Sequence, residues 1–272
     1  MLSIEGAPLS SLITGPESDH SLDAAKILAQ RRLRGESGAQ LPFDLRPNNI
    51  AEAMQIQSLL TSLLNDDIAG WKCGMPSEDR IVIAPIFSKT VFQQKQSNIC
   101  NVHANDLIKI EPELAFILAT NLPARITPYS NDDVRAAVSH AHLALEIIGC
   151  RYSEPAEACF YEHLADGLFN QGLFLGPEIG LREAEQAQKM PITLTIESDV
   201  PQAFDGVHAA SSPMMPLCWL AEYLRQQGTG LRAGQAIITG SYAGSPAVPL
   251  DKNIVLQFAE LGSIEVCFTQ YL

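Results

Sequence analysis

The segment at residues 108–118, IKIEPELAFIL, constrains the fold more than any other. Read as a strand, it alternates its side chains between two faces. One face collects Lys109, Glu111, Glu113, Ala115 and Ile117; the other collects Ile108, Ile110, Pro112, Leu114, Phe116 and Leu118. The acidic face runs on into Ala115 and Ile117, which argues against open water. Residues two apart on a strand lie roughly 6.5 Å apart, where two charges repel by about 2.5 kcal/mol at an effective dielectric near 20. A proton on one carboxylate, a cation between them, or an exposed strand end would relieve that repulsion.

A third acid is placed in the same way. Glu146 sits alone in the apolar run LALEIIGCR. Buried glutamates are protonated, paired or metal-bound. Three carboxylates in apolar strands suit a hard divalent cation with oxygen ligands, Mg²⁺ or Mn²⁺. The competing reading pairs Glu146 with Arg151 or leaves it at a solvent-facing strand end.

The chain's 272 residues are enough for one large domain or two modest ones. Its net charge of −13 disfavours a phosphate-backbone partner, so nucleic acid is not expected. No apolar run approaches the length of a membrane span, and the first residues lack the basic start of a secretory signal. Cysteines at 73, 100, 150, 159, 218 and 267 show no C-x-x-C spacing. They read as buried free thiols of a cytoplasmic protein.

The chain divides into a helical N-terminal part over 1–69 and a β-rich body over 70–272. Residues 1–20 read as a loose arm. Ser21 is placed to cap a helix ending near Gly35. Asn49, with Glu52 three residues on, is placed to cap a second. Beyond Gly70, short β-rich runs alternate with turns. Two helices are expected among them, SNDDVRAAVSHAHLA and PMMPLCWLAEYLRQQG. On the first, His140 and His142 would not share a face. The apolar face of the second suggests a homo-oligomer.

The segments GWKCG (70–74), IEPELAFIL, LALEIIGCRY, LADG (164–167), CWLAEYL (218–224) and LRAGQAIITGS (231–241) follow one another in the order seen in 2-keto-4-pentenoate hydratases. The chain therefore resembles that branch of the fumarylacetoacetate hydrolase superfamily from about residue 22 to about residue 270. The resemblance implies an α+β fold, a mixed β-roll with the N-terminal helices added. It implies a divalent cation, Mg²⁺ or Mn²⁺, held by Glu111, Glu113 and Glu146. It places Lys72 and Asp166 in catalysis, and Arg151, Gly240 and Ser241 near the substrate.

There are departures from the family. ADGLFNQ stands where the family has A-D-N-A-S, EIIGCR where it has E-I-V-D-S-R, and SSPMMPLCW where it has G-N-P before the tryptophan helix. The implied chemistry is hydration of a small 2-oxo acid such as 2-hydroxypenta-2,4-dienoate through a metal-stabilised enolate. Lys72 would move protons with a pKa lowered by desolvation and the nearby metal. The same ligands would serve a decarboxylase of the 4-oxalocrotonate type, or remain in a non-catalytic relative.

Overall fold

The structure, a computed structural model, describes residues 16–271. Two helices open it, α1 (Pro16–Arg34) and α2 (Ile50–Leu64). Asn49 caps α2: its side chain accepts from the Glu52 amide at 2.9 Å, and the Asn48 amide donates to the Glu52 carboxylate at 2.7 Å. Asn65, left-handed at φ 48°, ends the helix. Helix α1 begins before Ser21, so that residue does not cap it. Of the expected N-terminal arm, residues 1–15 lie outside the described residues.

The large sheet is built from β1 (Ile68–Gly74), β2 (Val82–Phe87), β3 (Val91–Gln93), β5 (Leu107–Leu118), β6 (Val138–Ile148), β7 (Asn170–Ile179) and β10 (Ala236–Ile238), with β11 (Ala247–Pro249) added to β5. Its order is β2-β1-β10-β5-β6-β7-β3. A smaller sheet runs β4-β13-β12-β8-β9, using β4 (Ile99–Val102), β8 (Lys189–Ile196), β9 (Gln202–Val207), β12 (Asn253–Phe258) and β13 (Gly262–Gln270). Parallel pairs β1–β10, β3–β7 and β4–β13 occur among antiparallel ones.

The large sheet curls until β2 lies against β7. Its inner face carries an apolar floor of Ile86, Ala115, Ala144, Leu173, Leu175, Ala236 and Ile238. Its outer face, with Leu114, Phe116, Leu143 and Leu145, joins a core shared with Leu28 and Leu60 of the helices and Phe258 and Phe268 of the smaller sheet. Strands β5 and β6 are therefore buried on both sides, which is why they read as long apolar runs. Gln57 of α2 ties the helices to this body, donating to the carbonyls of Ile83 and Leu164 at 3.1 and 2.7 Å. At Gly176 a Cβ would stand 2.5 Å from Ile264 Cγ1, so glycine permits the approach of β7 to β13.

Three expectations change. The helix expected over SNDDVRAAVSHAHLA is only α3 (Asn131–Ala136), capped by Ser130; from Val138 the chain is already β6. His140 and His142 therefore do share a face. The β-branched and apolar residues from 138 onward find partners in β5 and β7, and that pairing overrides helical propensity. Two helices, α4 (Phe160–Ala165) and α5 (Leu181–Gln186), were not anticipated because six residues are too few to show a helical period, and strand β7 because Gly172, Gly176 and Pro177 interrupt its pattern. Helix α6 (Met215–Gln226) forms where expected, but Leu217, Leu220 and Leu224 are buried within this chain. That face therefore gives no argument for self-association. Among the described residues no helix is long and apolar enough to cross a membrane.

Candidate metal centre and active site

Strand register brings the three acids together. Glu111 of β5 pairs directly with Glu146 of β6, and Glu113 pairs with Ala144. All three carboxylates point to the inner face of the roll, and one oxygen of each lies within 4.8 Å of the others. Glu146 is fully buried and Glu113 is 2% exposed. Lys72 reaches the cluster from β1, its Nζ 2.8 Å from Glu146 Oε1.

Each carboxylate is held by a neighbour. Ser245 Oγ donates to Glu111 Oε1 at 2.6 Å, the Gly240 amide to Glu113 Oε2 at 2.6 Å, and Asn170 Nδ2 to Glu146 Oε1 at 2.9 Å. Glu146 Oε2 is buried without a hydrogen-bond partner. Carboxylates within 4.8 Å of each other repel by roughly 3 kcal/mol per ionised pair at an effective dielectric near 20. With all three ionised, three carboxylates against one ammonium would leave two negative charges uncompensated. An orphaned buried oxygen, an all-oxygen donor set and that excess fit a hard divalent cation.

Titration follows from this crowding. Burial, then the charges of Glu146 and Glu111, push Glu113 well above the usual carboxylate range. Burial raises Glu146 as well, against the pull of Lys72. Burial by itself would depress Lys72, but Glu146, Glu111 and Glu113 together hold it above the ordinary lysine value. Among the carboxylates alone, their charge outweighs desolvation at Lys72; the lowered value expected from the sequence is for a lysine beside a bound metal.

The remaining candidate residues are placed around this cluster. Asp166, 1% exposed, accepts from Arg151 Nε at 3.0 and 2.8 Å through its two carboxylate oxygens. Arg151 therefore pairs with Asp166, and Glu146 pairs with Lys72. Arg32 adds bonds to the carbonyls of Asp166 and Asn170 at 2.8 and 3.0 Å. These contacts clamp the turn that follows α4, where Gly167, Leu168 and Phe169 all have positive φ (90°, 51° and 67°). Leu168 and Phe169 are strained there by about 1–3 kcal/mol each. The turn delivers the Leu168 carbonyl to Lys72 Nζ at 3.0 Å. Gly240, at φ 126°, turns its amide onto Glu113, while Ser241 Oγ donates to the Gly244 carbonyl at 2.7 Å.

Sequence reading missed Asn170 and Ser245. Asn170 lies in ADGLFNQ, and its alternation with Gly172 on an unrecognised strand was the available signal. Ser245 reaches Glu111 only through the fold of the loop before β11.

A 2-keto-4-pentenoate hydratase of Paraburkholderia phymatum is 25% identical over 162 residues, 60% of this chain and 61% of that protein. A 4-oxalocrotonate decarboxylase of Pseudomonas putida is 26% identical over 160 residues, 59% of this chain and 60% of that protein. The chain thus spans about three-fifths of the length of these curated relatives. The crystal structure of 4-oxalocrotonate decarboxylase from Pseudomonas putida G7, complexed with magnesium and adipate, superposes with a TM-score of 0.72 at 19% identity, covering 92% of this chain and 98% of that one, and shows the same fold. The model of the fumarylacetoacetate (FAA) hydrolase C-terminal family matches residues 74–269, and the chain belongs to that family.

Proposed function

We propose that this protein is a metal-dependent hydro-lyase that adds water to a small unsaturated 2-oxo acid of the 2-hydroxypenta-2,4-dienoate type. The observation that carries the reading is Lys72 Nζ, 2.8 Å from Glu146 inside a ring of three carboxylates. The hydratase relatives supply the reaction class. Glu111, Glu113 and Glu146 would hold Mg²⁺ or Mn²⁺, the former being the ion in the decarboxylase crystal. Such an ion supplies Lewis-acid polarisation of a 2-oxo acid and stabilises enolate charge.

The chain's own residues do the rest. Lys72 is the group placed to move protons, its Nζ reaching the carboxylates from β1. From its ammonium form, Nζ hands a proton to the terminal carbon while the enol hydroxyl proton leaves to solvent, giving the conjugated ketone. The resulting amine takes a proton from the water that adds at C4, returns it to C3 as the enolate reverts to the ketone, and is reprotonated from solvent. The Leu168 carbonyl and Glu146 fix the direction of Nζ. Arg151 and Asp166 act as positioning residues, since their bonds hold the turn that carries Leu168. The Gly240–Ser241 turn orients Glu113 and borders the space for the substrate carboxylate.

Decarboxylation of a 2-oxo diacid is the second reading, favoured by the decarboxylase relative. Product analysis separates them. The full chain with Mg²⁺ should convert the dienoate into a product heavier by one water. Release of carbon dioxide from a 2-oxo diacid, without hydration, would replace the first reading by the second. Turnover of neither would leave a non-catalytic protein on this fold.

A further inference from the structure

The inner face of the roll carries a second group of possible ligands, at the end away from the three glutamates. On β6, side chains at 140, 142, 144 and 146 share that face. Glu146 belongs to the first centre, Ala144 to the apolar floor, and His142 and His140 come next. Four residues of strand put His142 about 13 Å from Glu146 along β6. Ala115, Ala144 and Leu175 fill the space between.

Glu178 joins the two histidines because β7 is irregular. Ala144 pairs with Leu175, yet His142 pairs with Glu178, so β7 spends one more residue than β6 over that interval. The extra residue falls at Gly176–Pro177, where proline has no amide to give the ladder. The irregularity sets Glu178 opposite His142. One donor atom from each of His140, His142 and Glu178 lies within 4.8 Å of the others. The imidazole centroids are 5.1 Å apart, and His140 Nε2 is 4.0 Å from Glu178 Oε2.

Both rings are oriented from behind. His142 Nδ1 lies 2.8 Å from the Gly176 carbonyl and must donate to it, which leaves Nε2 with a free lone pair. His140 Nδ1 is engaged by Ser139 Oγ at 2.9 Å, and its Nε2 faces Glu178. A ring N–H given to a backbone carbonyl is the usual support of a metal-ligating histidine.

We propose that His140, His142 and Glu178 form a second divalent-metal site, selective for a borderline transition metal such as Zn²⁺ or Ni²⁺. Two imidazoles and one carboxylate disfavour Mg²⁺, which prefers oxygen donors. They match the three-ligand zinc pattern that leaves one position open. An ion there would tie β6 to β7 across the irregular pairing, and it is independent of the proposed hydration chemistry.

The test is Zn²⁺ binding to the full chain by competition with a chromophoric chelator, in saturating Mg²⁺. Wild type should bind one Zn²⁺ that Mg²⁺ does not displace. Glu113→Gln should keep that ion. His142→Gln, His140→Gln and Glu178→Gln should each weaken it by about tenfold or more. Glu178 is largely exposed, so its variant reports on the site even where a histidine variant fails to fold. Unchanged Zn²⁺ affinity in Glu178→Gln and in a folded histidine variant would overturn the proposal. Loss of all Zn²⁺ binding in Glu113→Gln would do so too, since the ion would then belong to the first centre.

Discussion

Glu111 and Glu146 face each other across the β5–β6 ladder as a direct cross-strand pair. Like charges in that relationship destabilise a sheet unless something neutralises them. Here Lys72 supplies one positive charge, and the carboxylate of Glu113 adds to the excess. Metal-free protein should therefore gain thermal stability on addition of Mg²⁺ or Mn²⁺. At a hundred times the dissociation constant the gain is about 2.7 kcal/mol, which differential scanning calorimetry would resolve. No shift in melting temperature at millimolar metal would contradict the proposed centre.

Asn170 should matter through the metal rather than through the fold. Asn170→Ala removes the 2.9 Å bond to Glu146 and leaves the three carboxylates in place. Mg²⁺ affinity, measured by calorimetric titration, should fall by about 10–100-fold. Unchanged affinity would mean that Lys72 alone orients Glu146.

Arg151 and Asp166 give a prediction that separates support from chemistry. Arg151→Met leaves a buried carboxylate without its cation and should cost about 3–5 kcal/mol in denaturant unfolding. The double variant Arg151→Met with Asp166→Leu should recover much of that loss. If Asp166 instead moves protons, Asp166→Leu with Arg151→Met would regain stability and still abolish turnover while Lys72 remains well placed.

Gly176→Ala tests the seating of the smaller sheet on the roll. The added methyl would meet Ile264 Cγ1 at 2.5 Å, and overpacking of this kind costs about 1–3 kcal/mol. Ile264→Ala alongside it, which removes Cγ1, should relieve the clash and restore part of the loss. Equal stability of Gly176→Ala and wild type would mean that the sheets are less tightly seated.

Much of the fold was legible because burial leaves a pattern. The face shared by Glu111, Glu113 and Ala115 follows from counting by twos, and Asn49 with Glu52 marks the start of α2. Helix α3 and strand β6 were harder to separate. Ser130 starts a real helix, and only the cross-strand partners of Val138–Ile148 show that it stops after one turn and a half. The strand carrying Asn170 was hidden by Gly172, Gly176 and Pro177, whose roles are close packing and an irregular ladder. Pairing among the charged residues was not legible either. Arg151 lies near Glu146 in sequence, but it falls beyond the end of β6 and its side chain pairs with Asp166. Lys72 then reaches Glu146 from a strand 74 positions earlier.

The central claim is that Lys72 moves protons while the glutamates hold the metal. It is tested most directly by metal content and dienoate hydration measured together for wild type, Glu113→Ala and Lys72→Met. Glu113→Ala should lose both metal and activity. Lys72→Met should keep the metal, because no ligand is touched, while turnover falls by roughly 10²–10⁴. Normal turnover by metal-loaded Lys72→Met would contradict the account and assign the proton to another group.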